Sequence, residues 1–254
     1  MKLTWHGTAS LTVSCGAGRL LIDPFFPLRG SETRVAPAAY EGFRHILVTH
    51  GHFDHILDLP RIASRTGAVI HCTGTPMATL LKKGVPRAQL RPFSPGDRLE
   101  LEGFRVTALQ GRHVRYDRAL LRRTFLSPRM LRYIGNLPRI AVQNRVCAEN
   151  GETVAFLIEA EGKRALVLGS LGLDLATDYP VGVDLLALPY QGTSDLLTPA
   201  LAIIDRLRPR AVMPDHWDDA FPPVSNHIGT GELARALGGR ARFMDCAPGG
   251  QVEI

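Results

Sequence analysis

Three histidines and one aspartate directly after an apolar run constrain this chain more than any other feature of its sequence. Residues 49–55 read THGHFDH and place these four potential metal ligands within six positions. Residues 43–48, FRHILV, have the composition of a buried β-strand. Imidazole nitrogens and carboxylates at this density are typical ligands of first-row transition metals. The cluster therefore predicts a metal site at the end of a buried strand.

The spacing of these ligands indicates that one loop can serve two cations. His50 and His52 are two residues apart, so in an extended chain both side chains point to one side and can hold one cation. Asp54 and His55 follow where the chain turns into a helix predicted over residues 56–62, and they can reach a second cation. A polar surface loop that carries histidines by coincidence is the alternative, which the clustering after a strand disfavours.

The segment matches the T-H-x-H-x-D-H signature of the metallo-β-lactamase superfamily, and the chain resembles members of that superfamily. Residues 3–7 (LTWHG) and 21–24 (LIDP) look like the opening of its ascorbate-phosphate lactonase-like branch. The resemblance implies an α/β fold, a four-layer αββα sandwich with metals held at one edge between the sheets. It extends over nearly the whole chain, so we expect one domain over residues 1–254 with a basic insertion at about residues 114–146.

Two later histidines follow predicted strands at positions where the superfamily places its remaining ligands. His113 comes after the strand predicted over residues 104–109, and His216 comes after the apolar residues 211–214. The resemblance implies two ligand sets and two catalytic candidates, Asp54 to orient the attacking water and His216 beside it. The first set is His50, His52 and His113, and the second is Asp54, His55 and His216.

The resemblance fails at Ser170 in an informative way. Many two-metal members have an aspartate here that bridges both cations, and this chain has a neutral hydroxyl, which is a much poorer ligand for a divalent ion. We therefore expect a weakly held second cation unless another carboxylate substitutes. The candidate substitutes are Asp174 and Asp218, and Ser170 itself could also do no more than end a strand. Asp23 is expected either in a turn or hydrogen-bonded to a metal-binding histidine.

The cofactor expected from these ligands is one or two divalent metal ions, zinc first, with manganese or iron as alternatives. Bound zinc lowers the pKa of its water to about 7, which would supply a nucleophile at neutral pH. The first functional hypothesis is therefore a hydrolase that uses a metal-activated water on an anionic ester, a phosphodiester or a lactone-type substrate. The alternative is a non-hydrolytic metal- or anion-binding protein, with nucleic acid among its conceivable ligands.

The charge of the chain favours anionic partners. The formal net charge is +6 and the sequence pI is about 9.5. Nine arginines lie between Arg112 and Arg145 against the single acid Asp117. This segment is expected to be either a lid whose Arg122 and Arg123 contact an anionic or amphiphilic substrate, or a solvated basic face over the core. One or two short helices are predicted in it.

Other features bear on partners and location. Tyr190 lies in a predicted loop and is a candidate substrate contact. Aromatic residues are too few among the arginines for a stacking platform, so we expect a small substrate and no stable nucleic-acid partner. Four scattered cysteines, no apolar leader and no membrane-spanning run predict a cytoplasmic protein without a transmembrane segment. The oligomeric state is left open.

Asn150-Gly151 predicts a hairpin between strands at residues 142–147 and 154–158.

Overall fold

Two seven-stranded sheets form the centre of the protein in a computed structural model that describes all 254 residues. The strands are β1 (Lys2–Gly7), β2 (Ser10–Cys15), β3 (Gly18–Ile22), β4 (His45–Leu47), β5 (Val69–Cys72), β6 (Leu90–Pro92), β7 (Arg98–Leu101), β8 (Phe104–Gln110), β9 (Val154–Ala160), β10 (Lys163–Val167), β11 (Leu185–Pro189), β12 (Ala211–Asp215), β13 (Arg242–Phe243) and β14 (Gln251–Glu253). The helices are α1 (Phe53–Ile56), α2 (Leu59–Thr66), α3 (Gly74–Lys82), α4 (Arg118–Phe125), α5 (Pro128–Arg132), α6 (Leu137–Val146), α7 (Leu197–Leu207) and α8 (Gly231–Ala236).

The two sheets repeat one topology. The first has the order β14-β1-β2-β3-β4-β5-β6, and the second has the order β13-β12-β11-β10-β9-β8-β7. Each sheet has an antiparallel part and a parallel part. The pairing changes from antiparallel to parallel at β3 in the first sheet and at β10 in the second. Parallel strands need crossover connections, and α1 to α3 supply them in the first half of the chain.

Three apolar clusters define four layers. One cluster joins the facing sides of the two sheets and includes Trp5, Phe104 and Phe156. A second packs the first sheet against α1, α2 and α3, and a third packs the second sheet against α7 and α8. The predicted αββα sandwich is confirmed. No helix combines the length and the apolar content that crossing a bilayer would require.

The predicted strand at residues 142–147 is wrong, because these residues form the C-terminal part of α6 and the residue after it. Asn150 and Gly151 do make a turn with positive φ angles of 50° and 78°. That turn joins α6 to β9, and β9 pairs with β8 on one side and β10 on the other. Both edges of β9 are therefore filled. Residues 114–146, called the basic insertion below, contain three α-helices, α4 to α6, where one or two were expected.

Candidate metal centre

The histidine-rich loop lies between the end of β4 and the start of α1. His52 is the residue before α1, and its extended backbone ends the loop. Gly51 is required by close packing, because a Cβ atom at this position would lie 2.0 Å from the backbone oxygen of Ala148. The loop therefore packs directly against the segment that follows the basic insertion, and only a residue without a side chain fits there.

His50, His52 and His113 converge in the first group, with ligand atoms all within 4.8 Å of one another. His50 Nε2 and His52 Nδ1 are 3.1 Å apart. His113 Nδ1 lies 2.7 Å from the carbonyl oxygen of Val114, which can only accept, so Nδ1 carries the proton and Nε2 is free to bind a cation.

Asp54, His55 and His216 form the second group, again within 4.8 Å of one another. His216 Nε2 is 3.1 Å from Asp54 Oδ2, and His55 Nε2 is 3.7 Å from the same oxygen. All three residues are buried. The rings of His50 and His55 are only 3.9 Å apart between centroids, so the two groups are neighbours in one site.

Asp23 supports the loop from β3 and is completely buried. Its Oδ1 accepts from the backbone N–H of Thr49 at 2.9 Å, and its Oδ2 accepts from Thr49 Oγ1 at 2.5 Å and from His55 Nδ1 at 2.7 Å. The bond to His55 fixes the proton on Nδ1 and leaves Nε2 facing Asp54. Thr49 Oγ1 also lies 3.1 Å from His50 Nδ1, so it accepts from that ring. Of the two alternatives expected for Asp23, the hydrogen bond to a candidate ligand histidine is the one that forms.

Burial sets the charge of the first group. It lowers the pKa of His50 well below the ordinary value and the pKa of His52 to about 4, helped by the neighbouring rings, and it also lowers the pKa of His113. These imidazoles are neutral at pH 7, and neutral imidazole is the form that binds metal. Three unprotonated nitrogens therefore face one point, and the donor set fits a divalent cation.

The second group behaves as an ion pair. Burial alone would raise the pKa of Asp54, but His55 and the hydrogen bond from His216 outweigh burial and lower it. Burial would likewise lower the pKa of His216, but Asp54 outweighs burial and raises it to about 9. Asp54 is thus an anion that holds a proton on His216, and a divalent cation fits there by replacing that proton.

Two residues of this site have left-handed backbone conformations that their residue types rarely adopt. Asp23 has φ 45° and His216 has φ 59°. Such conformations cost about 1–3 kcal/mol and cluster at functional sites, because the fold must hold a side chain in an unfavourable direction. The backbone N–H of His216 donates to the carbonyl of Thr8 at 2.9 Å, which helps to hold that conformation.

The candidate substitute carboxylates do not join either group. Both oxygens of Asp218 are used elsewhere, since they accept from the N–H of Thr8 at 2.7 Å and from Thr33 Oγ1 at 2.6 Å. Asp174 accepts from Ala176 and Thr177 within its own turn. Ser170 does line the site, and its Oγ accepts from the N–H of Val114 at 3.0 Å. Its hydroxyl thus supports the loop that carries His113.

A pocket of about 710 Å³, including its open mouth, lies over both groups. Side chains of α4, of the loop before it and of the loops after β11 and β12 contribute to its wall, among them Tyr116, Leu120, Arg123, Gln191, Phe221 and Asn226. In α4, Leu120, Arg123 and the buried Thr124 share the face turned to the pocket. Arg122 lies outside this lining, on the solvent side.

Tyr190 is not part of the pocket. It is buried in the apolar cluster beneath the second sheet, although its neighbours Pro189 and Gln191 reach the lining. The sequence alone did not single out Thr49, Tyr116 or Asn226. Thr49 stands inside the motif, so its place there was the available signal; Tyr116 and Asn226 carry no spacing signal because only tertiary contacts bring them to the site.

Comparison with known proteins identifies the family. The model of the beta-lactamase superfamily domain matches residues 18–217, which is most of the chain and includes the histidine-rich loop and His216. The chain belongs to this superfamily. The resemblance predicted from the T-H-x-H-x-D-H segment is confirmed at that level.

Similar proteins include several named UPF0173 metal-dependent hydrolases. One from Agrobacterium fabrum is 37% identical over 114 residues, 44% of this chain and 48% of that protein, so the match spans about half of the relative's length. One from Nitratidesulfovibrio vulgaris is 28% identical over 268 residues, covering 100% of this chain and 95% of that protein. Igni18, a metallo hydrolase from Ignicoccus hospitalis, has the same fold with TM-score 0.65 and 21% identity, over 99% of this chain and 97% of its own.

Proposed function

We propose that this chain is a metal-dependent hydrolase acting on a small anionic ester, phosphodiester or lactone. The observation that carries the proposal is the convergence of two three-ligand groups beneath one open pocket with an arginine at its edge. The names of the UPF0173 relatives support the same reaction type. The similarity of residues 3–7 and 21–24 to the lactonase-like branch supports a phosphorylated lactone as one substrate to test.

The residues that would hold metal are His50, His52 and His113 for one cation and Asp54, His55 and His216 for the other. We propose zinc, because neutral imidazoles dominate the donor set, with manganese or iron as alternatives. When bound, such a cation activates water for attack and stabilises negative charge that develops on the substrate.

The chain's own residues prepare this chemistry. Asp23 and Val114 accept the Nδ1 protons of His55 and His113, so each ring presents Nε2 to the site. Asp54 is a buried anion and would accept a hydrogen bond from the attacking water, which orients it. Leu120 and Phe221 make part of the pocket wall apolar, which strengthens electrostatic interactions inside.

Unequal affinities of the two groups are part of the proposal. Ser170 faces the site with a neutral hydroxyl that already accepts from Val114, and neither Asp174 nor Asp218 reaches either group. Without a carboxylate between them, two dications would repel each other across a short gap. One ion is therefore held tightly and the second weakly.

We further propose that residues 1–254 form one domain that works in a reducing, cytoplasmic compartment. Both sheets contribute to one shared core, and both halves of the chain contribute ligands. All four cysteines are free, and three of them are buried.

A hydrolysis screen with metal counting tests the reaction type. The wild type loaded with zinc should hydrolyse at least one generic phosphodiester, ester or lactone, and a chelator should abolish turnover. His52→Ala should lose a bound ion and turnover while keeping its fold. His45→Ala is the matched control, because His45 lies on β4 and pairs with His71 away from the site. Full activity in chelator, or in His52→Ala, would refute the proposed role of the metal.

Substitution of two adjacent arginines of α4, one at a time, tests the preference for anionic substrates. Arg123→Gln should raise KM for anionic substrates about threefold to tenfold through loss of a charge-assisted contact, and change KM for neutral substrates little. Arg122→Gln removes the same charge from the solvent side of α4 and is the matched control. Equal effects of both substitutions would show that only the general field of the insertion matters.

A further inference from the structure

The outer face of the basic insertion is unusually apolar for a charged surface. Eight of the twelve large hydrophobic side chains that the whole protein exposes lie within residues 114–146, and seven of these eight lie outside the pocket lining. Phe125, Leu126 and Leu131 are 63%, 72% and 76% exposed. Scattered apolar residues are normal on a surface, but a concentration of this kind in one segment marks an interaction site.

This exposure belongs to helices that are held in place. Arg129 forms an ion pair with Asp219 and donates to Asn226, and Asn136 donates to the carbonyl of Pro222 at 2.7 Å. Asp117 caps α4 and accepts from Ser194 at 2.6 Å. The insertion is thus tied to the body by its inner residues, and its outer residues are left without partners.

Arginines share the apolar face. In α4, Arg118, Leu121, Arg122 and Phe125 are spaced three or four residues apart and lie on the side away from the pocket. Seven arginines of the insertion are exposed, six of them outside the pocket lining, and the insertion contains no lysine. Its one acid, Asp117, already uses its oxygens for the cap and for the loop after β11. The face is therefore both apolar and strongly cationic.

We propose that this outer face docks on an anionic phospholipid bilayer. Exposed aromatic and aliphatic side chains enter the boundary between headgroups and acyl chains, while arginines contact lipid phosphates, which is how amphipathic helices bind at membrane interfaces. The alternative occupant, a second copy of this chain, is disfavoured because a two-fold interface would bring the outer arginines of both copies together. A bilayer supplies the apolar depth and the negative charge at once.

The orientation has a consequence for substrate access. Leu120 and Arg123 line the pocket on one side of α4, while Leu121 and Phe125 lie on the opposite side. A bilayer bound to the outer face would therefore be separated from the pocket by the width of α4, about 10 Å. The proposal does not rest on hydrolysis, because lipid binding is measured without turnover.

Vesicle co-sedimentation of the full, metal-loaded chain tests the proposal. The protein should bind vesicles of phosphatidylcholine with anionic phosphatidylglycerol, bind pure phosphatidylcholine far more weakly, and dissociate as salt rises. Removing two outer arginines, in Arg118→Gln with Arg145→Gln, should weaken binding about 25-fold, since each charge near the surface contributes about fivefold. Arg98→Gln with Arg235→Gln removes the same charge elsewhere and should change binding less than about twofold.

The contribution of the apolar side chains to vesicle binding is tested by a second pair of double variants. Phe125→Ser with Leu131→Ser should weaken binding at least about tenfold, and Leu175→Ser with Val181→Ser, on exposed side chains outside the insertion, should not. Circular dichroism and thermal unfolding of all variants check the fold. Absence of binding to anionic vesicles at low salt overturns the proposal. Equal losses of binding in the variants and in their controls also overturn it. A third refuting outcome is a protein that binds no vesicles but forms a dimer, which the Phe125 and Leu131 substitutions dissociate.

Discussion

An asparagine in place of Asp23 would exchange one buried carboxylate oxygen for an amide nitrogen at the centre of the metal-binding loop. The carboxylate accepts three hydrogen bonds, two from Thr49 and one from His55. The amide has one oxygen and one donor group. If its oxygen keeps the bond to the Thr49 N–H, its nitrogen faces His55 Nδ1; if it flips, two donors meet at Thr49. At least one buried donor loses its acceptor in either orientation.

The consequence for His55 is a change of tautomer. An amide N–H directed at Nδ1 requires that nitrogen to accept, so the ring proton moves to Nε2, the atom that lies 3.7 Å from Asp54 Oδ2 and would bind the cation. Loss of such a supporting carboxylate weakens metal binding about 10–100-fold, or about 1.4–2.7 kcal/mol. His50 contacts only Thr49 in this network, so the affinity of its group should change less than about threefold.

Competition of the metal-free protein with a chromophoric chelator measures both affinities. Asp58→Asn is the matched control, because Asp58 is also a buried carboxylate that accepts from a backbone N–H, that of Phe26 at 2.8 Å, away from both groups. We expect Asp23→Asn to weaken one ion selectively and Asp58→Asn to weaken neither. Equal weakening of both ions by Asp23→Asn, or unchanged binding, would refute the assigned role of Asp23.

Three further predictions concern the loop, the missing bridge and pH. Ser170→Asp should tighten binding of the second ion by about tenfold or more, and two equally tight ions in the wild type would contradict the unequal groups. Gly51→Ala should destabilise the fold by about 1–3 kcal/mol and lower metal affinity, because its Cβ would meet the oxygen of Ala148; Gly229→Ala, which meets nothing within 4 Å, is the control in thermal unfolding. Burial lowers the pKa of His71 to about 4 in the folded protein, so the unfolded chain binds more protons between pH 6.5 and pH 4. The stability that His71 contributes is therefore lost as the pH falls through that window, by less than about 1.4 kcal/mol per pH unit. His71→Gln should flatten the dependence of the urea midpoint on pH, and an unchanged slope would argue against it.

The local sequence determined much of the centre of this protein. The run from residue 43 to residue 48 and the ligand spacing after it are sufficient to place a strand, a turn and two ligand groups, because these depend on contacts within a few residues. Resemblance then supplied His113 and His216, which lie far away in the chain, and the structure brings both to the loop. The resemblance likewise indicated the two sheets of the αββα sandwich.

Only the tertiary structure decided which hydrogen-bond partners a side chain has and which secondary structure a segment adopts, where several neighbours were available. The hairpin signal at Asn150 and Gly151 is real as a turn, but β8 and β10 occupy both edges of β9, so residues 142–146 form a helix instead. Asp218 has the charge of a ligand, yet Thr8 and Thr33 take both of its oxygens. A sheet has only two edges, and a buried carboxylate points where its hydrogen-bond donors hold it. Partners distant in sequence decide both, so no local pattern could reveal the outcome.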